Sequence, residues 1–112
     1  MVFCVKTDSA NSVFKALADP TRRAIFAELS SKGEHTVHAL TSFAGISQPA
    51  VSKHLSVLKR AKLVHHRRNG RETHYRAQPD ALEPVVQWLR DYGDFWKDRF
   101  ERLESLLERM EP

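Results

Sequence analysis

The stretch TVHALTSFAGISQPAVSKHLSVLKRA, at residues 36–61, decides the fold of this chain. Thr36 has the side chain of a helix N-cap, and Gly45 is suited to end that short helix. Ser47 is placed to cap a second helix, in which Val51 and residues one and two turns later form a single apolar stripe. Two helices joined by a short turn that contains glycine form a helix-turn-helix. We therefore predict a helix-turn-helix over residues 36–61.

Two further helices are predicted ahead of this stretch. Apolar residues recur with helical spacing from Ser9 until Asp19-Pro20. Asp19 suits an N-cap, and Pro20 suits the first helical position because its missing N–H would have no partner there. Residues 30–33, which include a glycine, are expected to end this second helix.

Residues 63–77 are predicted to form a β-hairpin, or wing. Two short runs flank Asn69-Gly70, a pair that tolerates positive φ at both positions of a tight turn. Arg68 and Arg71 would then repel one another at the tip, where phosphate would neutralise them. With Asn69 and Gly70 as the loop, the predicted cross-strand pairs are Arg68–Arg71, Arg67–Glu72, His65–His74 and Val64–Tyr75.

A long amphipathic helix is predicted over residues 80–110. At a rise of 1.5 Å per residue, a helix of about 30 residues outreaches a domain this small, so a second copy of the chain is expected to cover its apolar face. Gly93, in mid-helix, costs about 1 kcal/mol unless a partner helix approaches closely. The predicted dimer-interface residues are Val13, Leu17, Leu89, Trp96, Phe100, Leu103 and Leu107.

The predicted fold class is mainly α with a small β-hairpin wing. Four helices, two strands and a fifth helix, in that order, are typical of a winged helix-turn-helix. Residues 1–112 are expected to form one such domain, with the helix-turn-helix at 36–61, the wing at 63–77 and the C-terminal dimerisation helix at 80–110.

Charge is distributed unevenly along the 112 residues, whose net charge is +4. Residues 47–79 hold eight Lys and Arg against one Glu, whereas residues 80–112 hold five against nine acidic residues. A basic middle third is the footprint expected for a polyanion such as nucleic acid.

Composition also argues against several other classes of protein. No apolar run is long enough to span a bilayer or to form a signal peptide, so we expect a cytoplasmic location and no membrane partner. The single cysteine, Cys4, cannot form an intrachain disulfide. The sequence has no nucleophile–base spacing, glycine-rich phosphate loop or pair of catalytic carboxylates, so we do not expect an enzyme.

The second helix of the predicted helix-turn-helix carries the candidate DNA-reading residues. Gln48 can pair bidentately with adenine in the major groove, and Ser52 can bond several bases. Lys53 and Lys59 are expected to contact phosphates. His54 lies beside the apolar stripe and is expected to be packed, donating to phosphate or backbone. With the wing included, the predicted DNA-binding residues are Ser47, Gln48, Pro49, Ser52, Lys53, His54, Lys59, Arg67, Arg68, Asn69, Gly70 and Arg71.

Three segments resemble a known family of regulators. ALADPTRR at 16–23, SQPAVSKHL at 47–55 and NGRETHYR at 69–76 look like the arsenical-resistance (ArsR/SmtB) repressor family. The resemblance extends over roughly residues 10–110. It implies a winged helix-turn-helix repressor that binds double-stranded DNA, at a pseudo-palindromic operator, as a homodimer.

This chain departs from the family at the end of the second helix of the predicted helix-turn-helix. The family usually has glycine where this chain has Lys62. Glycine adopts the left-handed conformation that ends many helices at no steric cost, whereas lysine would cost about 1 kcal/mol there. We therefore expect a local difference at this helix end and in the placement of the wing.

Metal-sensing members of the family carry residues that this chain lacks. They place a pair of cysteines on the first helix of the helix-turn-helix, and residues 36–40 contain none. A second family site uses histidines with carboxylates on the last helix, and residues 80–112 contain no histidine. His65 and His74 would face one another on the wing but lack further zinc ligands. We therefore predict no cofactor, and a branch of the family without the metal-binding cysteines.

The sequence leaves several ways open by which the activity of the regulator could be controlled. An unknown small-molecule effector would bind near the dimer interface, or the protein would act without a ligand. Cys4 would make the regulator redox-responsive if its thiolate were exposed and stabilised. Because winged helices also bind proteins, a protein-interaction module is the alternative to DNA binding.

Overall fold

In a computed structural model, residues 5–110 are described, except for the side chains of residues 5–8 and 94, and they form six helices and a three-stranded sheet. None of the helices within this range is both long and apolar enough to cross a membrane. The elements are α1 (Val5–Leu17), α2 (Pro20–Lys32), β1 (His35–Thr36), α3 (Val37–Ala44), α4 (Gln48–Arg60), β2 (Val64–Asn69), β3 (Glu72–Ala77), a 3₁₀ turn (Pro79–Leu82), α5 (Glu83–Arg90) and α6 (Gly93–Met110).

Side-chain caps begin three helices where the sequence predicts them. The side chains of Asp19, Thr36 and Ser47 accept hydrogen bonds from first-turn amides of α2, α3 and α4, at 2.8, 3.0 and 3.3 Å. A hydrogen bond from the amide of Arg22 is the main cause that lowers the pKa of Asp19 below its ordinary value. Gly45 ends α3 with a left-handed φ of 68°. These predicted helix boundaries are confirmed.

The hydrophobic core lies between the first four helices and the sheet. Val51, Leu55 and Leu58 are completely buried, which confirms the predicted inward stripe of α4. Because one side of α4 is buried, its polar residues lie on the other sides. The other residues of the core cluster are Val13, Ala16, Ile25, Leu29, Leu40, Leu63 and Val64.

The wing hairpin belongs to a three-stranded antiparallel sheet in the order β1–β3–β2. The strand β1 was not predicted, and it pairs His35 with Tyr75 and Thr36 with His74. A strand of two residues has no alternation that a sequence pattern could reveal, and it exists through its pairing with β3. It joins the segment before α3 to the base of the wing.

The hairpin turn differs from the predicted one. Asn69 pairs with Glu72, so the loop residues are Gly70 and Arg71. Gly70 has a φ of 66°, whereas Arg71 has a negative φ, which is the pattern of a type II′ turn. Such a turn requires glycine only at its first central position, so Asn69 remains in β2.

This shift of register changes every cross-strand pair of the wing. Arg68 lies opposite Thr73, so the expected repulsion between Arg68 and Arg71 does not arise across the tip. All four predicted pairs are wrong. The observed pairs are Val64–Ala77, His65–Arg76, His66–Tyr75, Arg67–His74, Arg68–Thr73 and Asn69–Glu72.

The predicted last helix is broken into two. α5 ends at Arg90 and α6 begins at Gly93. At the break, the amide of Tyr92 donates to the carbonyl of Leu89 at 3.1 Å, which is the tighter spacing of a 3₁₀ turn. Glycine favours a break here because it has low helix propensity. The described residues therefore contain six helices where five were predicted.

The two helices made by this break have different surroundings. α5 packs on α1, where the rings of Phe14 and Trp88 meet edge to face with centroids 5.4 Å apart. α6 extends away from the other elements, and residues 97–110 are all exposed. The radius of gyration is 17.1 Å, against about 13 Å for a compact chain of this length.

Lysine occupies the left-handed position at the end of α4. Lys62 has a φ of 65° and is the only non-glycine residue among residues 5–110 with a positive φ. The amide of Leu63 donates to the carbonyl of Leu58 at 3.0 Å, and the amide of Lys62 to that of Lys59 at 2.9 Å. These two bonds define a Schellman motif. The helix end expected to differ therefore has its usual form, with lysine in strained backbone.

Replacing Lys62 with glycine should stabilise the protein. Lys62→Gly removes the Cβ that a left-handed residue crowds, so the free energy of unfolding should rise by about 1 kcal/mol and Tm by about 4 °C. Lys62→Ala removes the same charge but keeps the Cβ, so its stability should stay within about 0.5 kcal/mol of wild type. Thermal unfolding at one protein concentration measures both variants. Equal gains would show that the charge, and not the backbone, limits stability.

Candidate nucleic-acid interface

The first half of α4 presents a polar, exposed surface. Gln48, Pro49, Ser52 and Lys53 are all exposed, and Ser47 caps the helix immediately before them. α3 holds this helix in place through the completely buried Leu40 and through the short turn that follows it. The major groove of B-DNA is wide enough to admit an α-helix presented in this way.

Cations extend this polar surface toward the end of α4. Lys53, Lys59 and Arg60 are exposed, and residues 47–63 include no Asp or Glu that would repel a phosphate. Long lysine and arginine side chains suit phosphate contacts, which orient a protein on DNA without reading its sequence.

The tip of the wing supplies a second group of exposed cations. Arg68, Asn69, Gly70 and Arg71 are all exposed. Neither arginine forms an ion pair or a side-chain hydrogen bond with another residue whose side chain the structure describes. Their charges are therefore available to an external anion.

Arg67, which was predicted to contact DNA with the wing tip, is paired within the chain. Its Nη2 and Nε donate to the two carboxylate oxygens of Glu34, at 2.7 and 3.0 Å. These bonds hold the pKa of Glu34 below its ordinary value and the pKa of Arg67 above its own. The pair ties β2 to the segment before β1, and a carboxylate already engages Nε and Nη2 of Arg67 and balances its charge.

Glu34 is a candidate functional residue that the sequence patterns missed. It lies outside the predicted helix-turn-helix and wing, and it is separated from Arg67 by 33 positions. Only the sheet, completed by β1, brings the two side chains together. No local pattern could have indicated that one arginine of the wing is neutralised.

His54 lies at the edge of the buried face of α4. Its ring is half-buried, as expected of a packed histidine, and its Nδ1 lies 3.4 Å from Nη1 of Arg22 on α2. The contact of His54 with phosphate stays a prediction.

Most of the residues predicted for the dimer interface lie along α6. Phe100, Leu103 and Leu107 are 54, 51 and 53% exposed. Leu89 on α5 and Trp96 near the start of α6 are half-buried. Apolar side chains that are this exposed on one protruding helix indicate an interaction surface.

The two predicted interface residues on α1 lie in the body of the protein. Val13 is 2% exposed and belongs to the core, and Leu17 packs against that core. Val13 therefore has almost no exposed surface with which to contact a second copy. Phe14 and Trp88, at 41 and 43% exposed, provide apolar surface at the α1–α5 contact that the predicted set did not include.

A groove of about 590 Å³ lies beside α5 and α6. A Cβ added at Gly93 would meet no atom within 4 Å, so no close approach among the described residues requires glycine there. The lining residues of the groove are Val86, Leu89, Arg90, Gly93, Trp96, Lys97, Phe100 and Glu104.

Known proteins are similar to this chain in sequence. A family model described as a helix-turn-helix domain matches residues 17–67. Transcriptional repressor SdpR of Bacillus subtilis (strain 168) is 34% identical over 73% of this chain and 90% of its own length. The arsenical resistance operon repressor of Escherichia coli (strain K12) is 32% identical over 88% of this chain and 81% of its own length.

Solved structures also resemble this chain, both in fold and in sequence. An ArsR-like transcriptional regulator from Rhodococcus sp. RHA1 matches with a TM-score of 0.68 and 31% identity, over 88% of this chain and 92% of that one. A homodimeric winged helix-turn-helix DNA-binding domain from Mycobacterium bovis, a possible ArsR-family transcriptional regulator, matches with a TM-score of 0.63 and 29% identity, over 80 and 84% of the two chains. The chain belongs to the ArsR family of transcriptional regulators.

Membership of the ArsR family confirms the predicted fold class, a mainly α winged helix-turn-helix. The structure adds a third strand to the wing sheet and a break in the last helix. The division into a helix-turn-helix, a wing and a dimerisation helix as functional units stays a prediction.

The branch of the ArsR family without metal-binding cysteines is a prediction from sequence alone. Among the side chains that the structure describes, no group of three or more His, Cys, Asp or Glu could hold a metal ion. His65 does not face His74, because it lies opposite Arg76, whose Nε donates to its Nδ1 at 3.4 Å. Cys4, the candidate redox residue, lies outside the described residues.

Proposed function

We propose that this ArsR-family chain is a sequence-specific transcriptional repressor that binds a pseudo-palindromic DNA operator as a homodimer. The observation that carries the proposal is that the exposed polar side of α4 is accompanied by two unpaired arginines at the wing tip. The excess of eight Lys and Arg over one Glu in residues 47–79 suits a polyanion. The names of the relatives support repression, and the homodimeric neighbour supports pairing.

In the proposed complex, the first half of α4 lies in the major groove. The amide of Gln48 bonds adenine bidentately, and the hydroxyl of Ser52 bonds a neighbouring base. Lys53 and Lys59 bind phosphates beside the groove. Ser47 and Pro49 bring the start of the helix close to the DNA, where its dipole favours a phosphate.

The wing extends the proposed contact beyond the major groove. Arg68 and Arg71 supply charge to the flanking backbone or minor groove, and the tight turn at Gly70, which follows Asn69, keeps the tip narrow. Arg67 positions the wing through its bond with Glu34 and is not among the proposed phosphate ligands.

A homodimer presents two copies of α4 to one side of the duplex. The exposed stripe of α6 and the groove beside α5 form the proposed contact between copies. Two-fold symmetry then requires two inverted half-sites about one helical turn apart, or roughly 34 Å. No effector, cofactor or catalytic step is part of this proposal. Since the relatives are bacterial, we place its action in the cytoplasm, where bacterial DNA lies.

Protection mapping on the DNA upstream of the chain's own gene tests this proposal. We expect a protected segment with two inverted half-sites, whose affinity falls steeply with salt because phosphate contacts release counterions. A duplex with scrambled half-sites, at the same salt concentrations, is the control. Failure to form a specific complex at low salt would count against DNA binding and favour the protein-interaction module.

Gln48→Ala should relax base preference and leave the salt dependence unchanged. Loss of a bidentate pair should reduce discrimination by about tenfold at one position of each half-site. Lys59→Ala on the same helix removes one phosphate contact from each protomer, so it should lower the salt slope by about 2 and keep the base preferences. Titrations of operator variants at several salt concentrations measure both effects. A lower salt slope for Gln48→Ala would show that reading and positioning residues are wrongly assigned.

A further inference from the structure

Arg22 lies in the first turn of α2 and forms hydrogen bonds with the end of α1. Its Nε donates to the carbonyl of Ala16 at 2.6 Å, and its Nη2 donates to the carbonyl of Lys15 at 3.2 Å. Carbonyls in the last turn of a helix are ready acceptors, and a carbonyl oxygen has two lone pairs, so that of Lys15 also accepts from the amide of Ala18 at 3.3 Å. Two such bonds fix the plane of the guanidinium, because its donors point in fixed directions.

The third nitrogen of the Arg22 guanidinium contacts α4. Its Nη1 lies 3.4 Å from Nδ1 of His54 on α4. A guanidinium has donors and no acceptor, so Nδ1 is the acceptor of this hydrogen bond. A ring nitrogen accepts only when it carries no proton, and the neutral ring therefore has its proton on Nε2.

Nε2 of His54 lies on the ring edge that faces away from Arg22. It has no hydrogen-bond partner within the part of the chain that the structure describes, and the ring is partly exposed. The next residue back along α4 is Lys53, an exposed candidate phosphate ligand. An N–H donor at this place can bond a phosphate oxygen.

We propose that Arg22 is a positioning residue, which holds His54 as an Nε2–H donor to the DNA backbone. The inference rests on the proposed DNA-binding function. A hydrogen bond to one ring nitrogen is a general means of fixing the tautomer and direction of the other. The end of α1, Arg22 and His54 also form a continuous hydrogen-bonded chain. A movement of α1 therefore redirects a backbone contact made by α4.

Arg23 provides a matched control for Arg22. Its Nη1 donates to the carbonyls of Leu17 and Ala18 at 2.8 and 3.2 Å, so it also grips the end of α1. It makes no bond to His54 among the described residues. Arg23→Met therefore removes the same charge and the same kind of carbonyl contact as Arg22→Met, and it leaves the ring bond in place.

The tautomer of His54 can be read in the 112-residue chain without DNA, from two-bond proton–nitrogen correlations of the neutral histidine rings. Signals missing from His54→Asn assign the ring. We expect the Nε2–H tautomer, with an Nδ1 shift that moves toward that of an unbonded ring in Arg22→Met and stays unchanged in Arg23→Met. An Nδ1–H tautomer in the wild type overturns the proposal, as does an unmoved Nδ1 shift in Arg22→Met. An Nδ1–H tautomer in the wild type overturns the proposal even if Arg22→Met fails to fold.

Affinity for the mapped operator is the second measurement. His54→Asn and Arg22→Met should each weaken binding about tenfold, because each dimer loses two backbone donors, while Arg23→Met should stay within about twofold of wild type. The double variant of Arg22 and His54 should bind no more weakly than either single variant, since both remove one contact. Additive losses overturn the proposal. If the wild type binds no DNA, the proposed function fails, and the tautomer shows separately whether Arg22 orients His54.

Discussion

Leu103→Asp is expected to convert the dimer into monomers. Leu103 lies in the middle of the α6 stripe and is 51% exposed in a single copy. In a two-fold interface, one substitution introduces two carboxylates. Lost apolar burial and the desolvation of two unpaired charges should raise the dimer dissociation constant at least about 1,000-fold. Sedimentation at micromolar concentration should then detect monomer, and operator affinity should fall about 100-fold because the two reading helices are no longer linked.

Ser105→Asp is the matched control for this experiment. Ser105 is exposed and lies two positions further along α6, about 200° around the helix from Leu103, so the same charge is placed on the opposite side. It should remain dimeric and bind the operator normally. A dimeric Leu103→Asp would refute the α6 interface and shift attention to the apolar surface of Phe14 and Trp88.

Arg68→Ala combined with Arg71→Ala should weaken binding to every DNA sequence. Each dimer would lose four phosphate contacts, so the slope of log affinity against log salt should fall by about 3 to 4. With each partly exposed contact worth about 0.7 kcal/mol, affinity near physiological salt should fall about 100-fold. Preference between operator variants should persist, because Gln48 and Ser52 remain. Salt titrations on the operator and on unrelated DNA measure the effect.

Arg67 makes this prediction specific to the tip of the wing. Arg67→Ala removes the same charge from the same strand as Arg68→Ala, but Glu34 already balances that charge at 2.7 Å. We expect Arg68→Ala alone to lower the salt slope by about 2, and Arg67→Ala to lower it by less than about 1. Equal changes would mean that the Glu34 pair opens on DNA and that Arg67 binds phosphate like its neighbours.

The sequence predicts those parts of the fold that depend on neighbours along the chain. Asp19, Thr36 and Ser47 cap helices because each side chain bonds amides within its own first turn. The stripe of α4 follows from helical periodicity alone. The basic side of this helix is equally local, which is why most of the candidate interface was predictable without a structure.

Features that depend on distant partners were missed. The strand β1 exists only through its pairing with β3, and the bond between Glu34 and Arg67 requires that sheet. At the hairpin, Asn69-Gly70 and Gly70-Arg71 are both acceptable turn pairs, and the structure has the second. The break before Gly93 was missed for another reason, since the apolar helical spacing continues unbroken through it.

The break between α5 and α6, at residues 91–92, sets the proposed dimer contact on α6 apart from the DNA-contacting α4. This separation affects how related regulators can diverge. Substitutions on α6 would change which copies recognise each other and leave α4 untouched, whereas substitutions on α4 would change the DNA site and leave pairing untouched. Duplicated genes could thus acquire separate targets and separate partners by independent steps. A cell could then keep several such proteins of nearly identical fold without forming mixed pairs.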